Sequence, residues 1–242
     1  MRRILVGLVT GLSLALSTVP PAAAAGPHFV YQQQGHLSPF TSSRTYILPG
    51  RPTPTGCAYS YPEIEVPAGI DHWQVRDVAI DQGRCVKLVE EGVPTVSEAA
   101  ATSMASTTAS FGGDGVLSAT TTASGYAHAW FENIFGQSLT SDTTYLTWGY
   151  SGGCVTSSSS YGDWAWNYGL GWGLVSNSGS RSQACAQVSA TTWSTFSGLL
   201  GCYQYYYSVT AIGRGNGSFT ANRSDSATCG PIWEHFDYQK TT

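Results

Sequence analysis

"DWAWNYGLGWGL", residues 163–174, decides how the chain is read. Taken two residues at a time, it sets Trp164, Trp166, Tyr168, Leu170, Trp172 and Leu174 on one side. Asp163, Ala165, Asn167, Gly169, Gly171 and Gly173 fall on the other. A β-strand alternates its side chains between two faces, so a period of two is the signature of a strand. The stretch therefore predicts one strand, its large rings packed against a second sheet and its glycines leaving room for a close neighbour. Each ring so buried removes about 150–250 Å² from water. Turned outward, the same row would be a stacking platform for sugar rings or other planar ligands; the core reading is preferred.

The same period extends in both directions. "YAHAWFENIF" puts Tyr126, His128, Trp130, Glu132 and Ile134 on one face, and "CYQYYYSV" aligns Tyr203, Tyr205 and Tyr207. The turn signals "SGG", "SNSGS" and "GNGS" separate such runs at short intervals. No apolar stripe of helical period has useful length. Residues 116–242 are thus expected to be all-β: an antiparallel two-sheet β-sandwich, Ig-like or jelly-roll-like. Upstream, residues 26–96 hold most of the prolines and short strand candidates at 44–48, 57–61, 72–80 and 85–89. They read as a proline-rich extension or small subdomain, with "RPTPTG" at 51–56 poorly ordered. Residues 97–115, rich in Ala, Ser, Thr and Gly, read as a linker, with a short helix over "SEAAATSMA" as the alternative.

The start of the chain carries an address. Arg2 and Arg3, an apolar run over 4–19, and Ala23-Ala24-Ala25 have the three-part layout of a secretory signal peptide spanning residues 1–25. The run falls short of the roughly 20 apolar residues of a membrane span. The expectation is a secreted, extracellular protein with no membrane span after cleavage. Six cysteines, Cys57, Cys85, Cys154, Cys185, Cys202 and Cys229, fit an oxidising compartment and three disulfides. Their spacing favours the sequential pairs 57–85, 154–185 and 202–229. No C-x-x-C pair is present, which disfavours zinc. Arginine outnumbers lysine nine to two, a bias that fits a GC-rich bacterial source.

Charge narrows the partners. Only 11% of residues are charged, against about 25% in ordinary domains. Without Arg2 and Arg3, 9 basic residues face 15 acidic ones, a net charge of −6. No basic stripe remains to hold nucleic acid. A carbohydrate or another extracellular protein is the partner the composition suits; no cofactor is implied.

Chemistry-bearing residues are few. Gly149-Tyr150-Ser151-Gly152-Gly153 matches G-x-S-x-G, the nucleophile elbow, and Asp163 or Asp225 followed by His235 completes a Ser–Asp–His order. "CVTSSSSYGDW" follows, however, and is a poor helix former where an elbow needs a helix. A hairpin turn at Gly152-Gly153 is the better reading. Glu132 and Glu234 are the candidate pair for a glycan hydrolase, which needs carboxyls about 5–9 Å apart. Trp130, Trp148, Tyr150, Tyr206 and Trp233 are the candidate ligand-binding aromatics. His128, His235 and Asp237 could converge on a metal only by accident of folding. Asp114 sits in a glycine turn, and Asp71 and Asp77 flank Arg76 as a local ion pair. The preferred function is non-catalytic binding of a glycan, surface or protein through exposed aromatics, with a secreted hydrolase as the alternative.

Overall fold

The computed structural model describes residues 29–31, 39–65, 70, 72–95, 105–111, 121–133, 135–198, 204–227 and 233–241. The expected leader lies outside them, as do Cys202, Cys229, Asp71 and Asp114. The described residues are almost wholly antiparallel strand, with one 3-10 turn.

One sheet is built from β1 (Val30–Tyr31), β2 (Phe40–Pro49), β6 (His72–Asp81), β7 (Val86–Pro94), β8 (Ala105–Ser110), β9 (Thr121–Glu132), β10 (Ser138–Ser151), β11 (Cys154–Trp166) and β16 (Trp233–Thr241). Its order is β2-β7-β6-β16-β9-β10-β11-β8, with β1 beside β6. The second sheet takes β3 (Arg51–Thr53), β4 (Gly56–Ser60), β5 (Ile64–Glu65), β12 (Trp172–Gln183), β13 (Gln187–Gly198), β14 (Tyr205–Arg214) and β15 (Phe219–Ala227). Its order is β12-β13-β14-β15-β4-β3, with β5 beside β15. The proline-rich half therefore enters both sheets: β6 pairs with β16, and β4 with β15. All four strand candidates of that half are strands. "RPTPTG", expected to be poorly ordered, is β3 and its turn into β4. Residues 105–110, inside the stretch read as a linker, form a strand on β11.

The deciding stretch behaves differently from its pattern. It is not one strand. The chain follows β11 to Trp166, makes a 3-10 turn over Tyr168–Leu170, and starts β12 at Trp172 in the other sheet. Asn167 caps the turn by accepting a hydrogen bond from the Leu170 amide, and Gly171 closes it in the left-handed conformation with φ 77°. Trp164 and Trp172 are buried from opposite sheets, while Tyr168 is 79% exposed at the crossing. Two-residue periodicity cannot register such a crossing, because the rings on either side of the turn keep the same parity.

Residues of both sheets share one core. Phe131 on β9 lies 4.2 Å from Tyr205 and 4.6 Å from Tyr207 on β14, measured between ring centroids. Trp148 on β10 reaches across to β14, where its indole N–H donates to the Arg214 carbonyl at 3.1 Å. Gly213 is what lets it lie there: a Cβ at that position would stand 2.4 Å from the indole. Two disulfides then tie sheet to sheet. Cys57 on β4 joins Cys85 in the β6–β7 turn, and Cys154 at the head of β11 joins Cys185 in the β12–β13 turn. These are two of the three expected pairs; the third lies outside the described residues. The two disulfides accord with an extracellular protein. No helix among the described residues is long and apolar enough to cross a membrane.

Candidate functional site

The outward face of the first sheet carries the most unusual surface. Register brings Tyr126 of β9, Tyr145 of β10 and Tyr161 of β11 directly opposite one another. Tyr145 and Tyr161 stack at 4.3 Å with planes 11° apart, and Tyr126 leans on Tyr145 at 5.9 Å. Directly opposed residues are the closest neighbours a sheet offers, so stacking follows from register alone. Rings stacked this way stand on edge and present phenolic oxygens. The next row of the ladder is His128, Thr143 and Asp163. His128 Nδ1 lies 2.6 Å from Thr143 Oγ1, and its ring stacks on Trp130 at 5.1 Å. Burial, reinforced by the Asp163 carboxyl, raises the phenols of Tyr145 and Tyr161 above their usual range, so they stay protonated. Burial raises Asp163 as well, against a backbone hydrogen bond from Trp164. The result is a partly exposed row of rings, with the Tyr145 and Tyr161 phenols held neutral beside a carboxyl with a reduced tendency to ionise.

Two polar clusters lie between the sheets. In one, Asp142 of β10 is fully buried and accepts hydrogen bonds from two hydroxyls, Thr192 Oγ1 at 2.5 Å and Ser194 Oγ at 2.6 Å, both from β13. Burial raises its carboxyl from 3.8 to about 7, although Ser194, Thr192 and Trp164 pull it back. In the other, charges meet charges. Lys87 Nζ of β7 lies 3.1 Å from Asp77 Oδ2 of β6 and 3.7 Å from Asp225 Oδ1 of β15. Lys87 also donates to the Tyr61 hydroxyl at 3.0 Å, and that hydroxyl donates to Asp77 Oδ1 at 2.8 Å. Arg223 stacks 3.9 Å over the Tyr61 ring, and Lys87 sits 4.1 Å over that of Tyr59. Nearby, buried Glu91 pairs with exposed Arg44. Burial, then the Glu91 carboxylate, pushes the Tyr46 phenol well above its ordinary value.

No family model, curated protein or solved structure matches the chain. Its site is therefore read from geometry.

The expected binding aromatics are dispersed. Trp148, expected on the surface, has no exposed area and belongs to the core; it shares its phase along β10 with buried Leu146. Trp130 is buried and donates its indole N–H to Glu132 Oε1 at 3.0 Å. Tyr150 is half-buried, its ring lying over Gly217 in the β14–β15 turn. Tyr206 is exposed, but on the second sheet. Trp233 is placed only by its backbone, opposite Glu132.

Backbone pairing places the hydrolytic candidates on β9, β10 and β16 of the first sheet. Ser151 precedes a two-residue turn, Gly152 and Gly153 at φ 59° and 81°, and Cys154 begins the return strand. A helix is missing where a nucleophile elbow requires one. Glu132 pairs with Trp233 and Glu234 with Phe131, so the two glutamates occupy positions of opposite phase on neighbouring strands. His235 stands opposite Trp130, and Asp237 opposite His128, in register. Among the described residues no three His, Cys, Asp or Glu side chains gather as metal ligands. Arg76 pairs with Glu90 across the strands at 2.9 Å and not with Asp77, which turns inward to Lys87. Sequence reasoning missed Tyr145 and Tyr161 as surface residues. Their only signal was membership of separate alternating runs.

Proposed function

We propose that the chain is an exported β-sandwich, its two sheets packed face to face, that binds a glycan through the outward face of the first sheet. The side-chain contacts between β10 and the β13–β14 hairpin support the sandwich. The row Tyr126–Tyr145–Tyr161 carries the functional reading. Three aligned phenols, with His128 and Asp163 beside them, offer a set of hydrogen-bond donors and acceptors to a polyhydroxylated chain. The outermost rings add apolar area for a sugar's C–H face. A low charge density suits a neutral polysaccharide, whose binding needs little desolvation of ions.

The test is a pull-down of the mature chain on insoluble polysaccharides, followed by titration with soluble oligosaccharides. Tyr161→Ala and Tyr126→Ala are expected to weaken binding at least about tenfold, the loss of one well-placed aromatic contact. Tyr206→Ala, on the opposite sheet, should leave it unchanged. Binding that follows Tyr206 and ignores Tyr161 would overturn the assignment of the face.

A further inference from the structure

The buried Lys87–Asp77–Asp225 cluster holds the parts of a chemical reaction, independent of any ligand on the outer face. An amine, a carboxyl to acylate and a second carboxyl to move protons lie within hydrogen-bond or near-contact range, enclosed by Tyr59, Tyr61 and Arg223. All three groups are fully or nearly fully enclosed: Lys87 is 4% exposed, Asp225 2% and Asp77 0%. We propose that Lys87 and Asp225 condense to an intramolecular amide that joins β7 of the first sheet to β15 of the second, with Asp77 as the proton carrier.

The roles follow from the contacts. Asp77 receives the Tyr61 hydroxyl on Oδ1 and the Lys87 ammonium on Oδ2. Donors on both oxygens favour the carboxylate, a good base and a poor acylating group. Asp225 Oδ1 stands farther from Nζ, at 3.7 Å, on the opposite wall. That separation is just beyond the ~3–3.5 Å of a near-attack pair, so a small side-chain movement inside the enclosed site brings amine and carboxyl together. In the step itself, Lys87 passes a proton to Asp77 and becomes a neutral amine. Asp77 hands that same proton to Asp225, which becomes the acid, and Asp77 is a carboxylate again. The amine lone pair attacks Asp225 Cγ, forming the C–N bond, while Asp77 carries the surplus proton from nitrogen to the departing hydroxyl. The C–O bond breaks and one water leaves. No electrons are exchanged, and Asp77 ends as it began.

The charges around the site suit both states. Before reaction, the Lys87 ammonium faces both Asp77 and Asp225; afterwards Asp77 keeps the Tyr61 hydroxyl as its donor. The reaction removes one buried ion pair, whose desolvation is its main cost, and replaces it with a neutral amide.

The intact mass of the mature chain, fully reduced, decides the matter. The expected value is lower than that of the sequence by one water, about 18 Da. Trypsin should fail to cut after Lys87, and tandem mass spectrometry should find the peptide containing Lys87 joined to that containing Asp225. Asp225→Ala and Asp77→Ala are expected to recover the full mass. Asp225→Asn should still condense, with ammonia as the leaving group, and so reach the wild-type mass. A wild-type chain of full mass, or one joined between Lys87 and Asp77, would overturn the proposal. That measurement needs no variant to fold and is indifferent to glycan binding.

Discussion

Asp142 and Asp77 are both wholly buried aspartates on strands of the first sheet, and their surroundings treat them in opposite ways. Asp142 has hydroxyls for company, from Thr192 and Ser194. Asp77 has Lys87 and the Tyr61 hydroxyl, with Arg223 beyond. Hydroxyl donors offset only part of the cost of removing a carboxylate from water, so Asp142 holds its proton to about 7. A cation within contact range makes the ionised form tenable, at the price of a second buried charge. One cluster is therefore sensitive to pH, the other to the loss of any single member.

The contrast can be broken most severely at Lys87. Lys87→Ala leaves two enclosed carboxylates with one fewer cation and without the amide inferred above, and is expected to destabilise the fold by about 5 kcal/mol. Urea unfolding measures this, and a loss below about 1 kcal/mol would erase the distinction between the clusters.

The pH dependence of stability comes next. Folded Asp142 releases its proton at about 7, and the unfolded group at its ordinary 3.8. Folding thus takes up a proton between those values. Stability from this group is full below about pH 4, falls as pH rises, and is lost above 7. The change across the window is about 4 kcal/mol. Asp142→Asn removes it, so wild type minus variant should trace this fall in denaturation curves from pH 4 to 8. A flat difference curve would mean that Asp142 is ionised in the fold.

A smaller effect sharpens the same point. Ser194→Ala deletes one donor to the Asp142 carboxyl. It should cost about 2 kcal/mol at pH 8, where the acceptor is charged, and about 1 kcal/mol at pH 4, where it is neutral. Equal costs at both pH values would show that the hydroxyl answers to packing and not to charge.

Legibility in the sequence followed the range of the interaction concerned. Alternation in "YAHAWFENIF" and the glycines of "YSGGC" are local, and they announced β9 and the β10–β11 hairpin correctly. The crossing at Asn167–Gly171 was hidden, since Trp164 and Trp172 keep their parity through a turn that moves the chain to another sheet. The tyrosine row was hidden for a different reason. Tyr126, Tyr145 and Tyr161 each fit a strand, but only the pairing of β9, β10 and β11 lines them up. Lys87 and Asp225 are 138 positions apart, and "VKLVEE" gives no sign of which phase faces inward.

By itself the sequence determined the strand content and a pattern of cysteines, two pairs of which close between sheets. Those properties rest on neighbours within a few residues, where side-chain parity, turn chemistry and spacing act directly. Tertiary structure alone decided which aromatics meet solvent, which carboxylates are shut inside, and which amine stands beside them. Burial and contact depend on strand register and on which faces of two sheets meet, and both are settled by residues far apart in the chain.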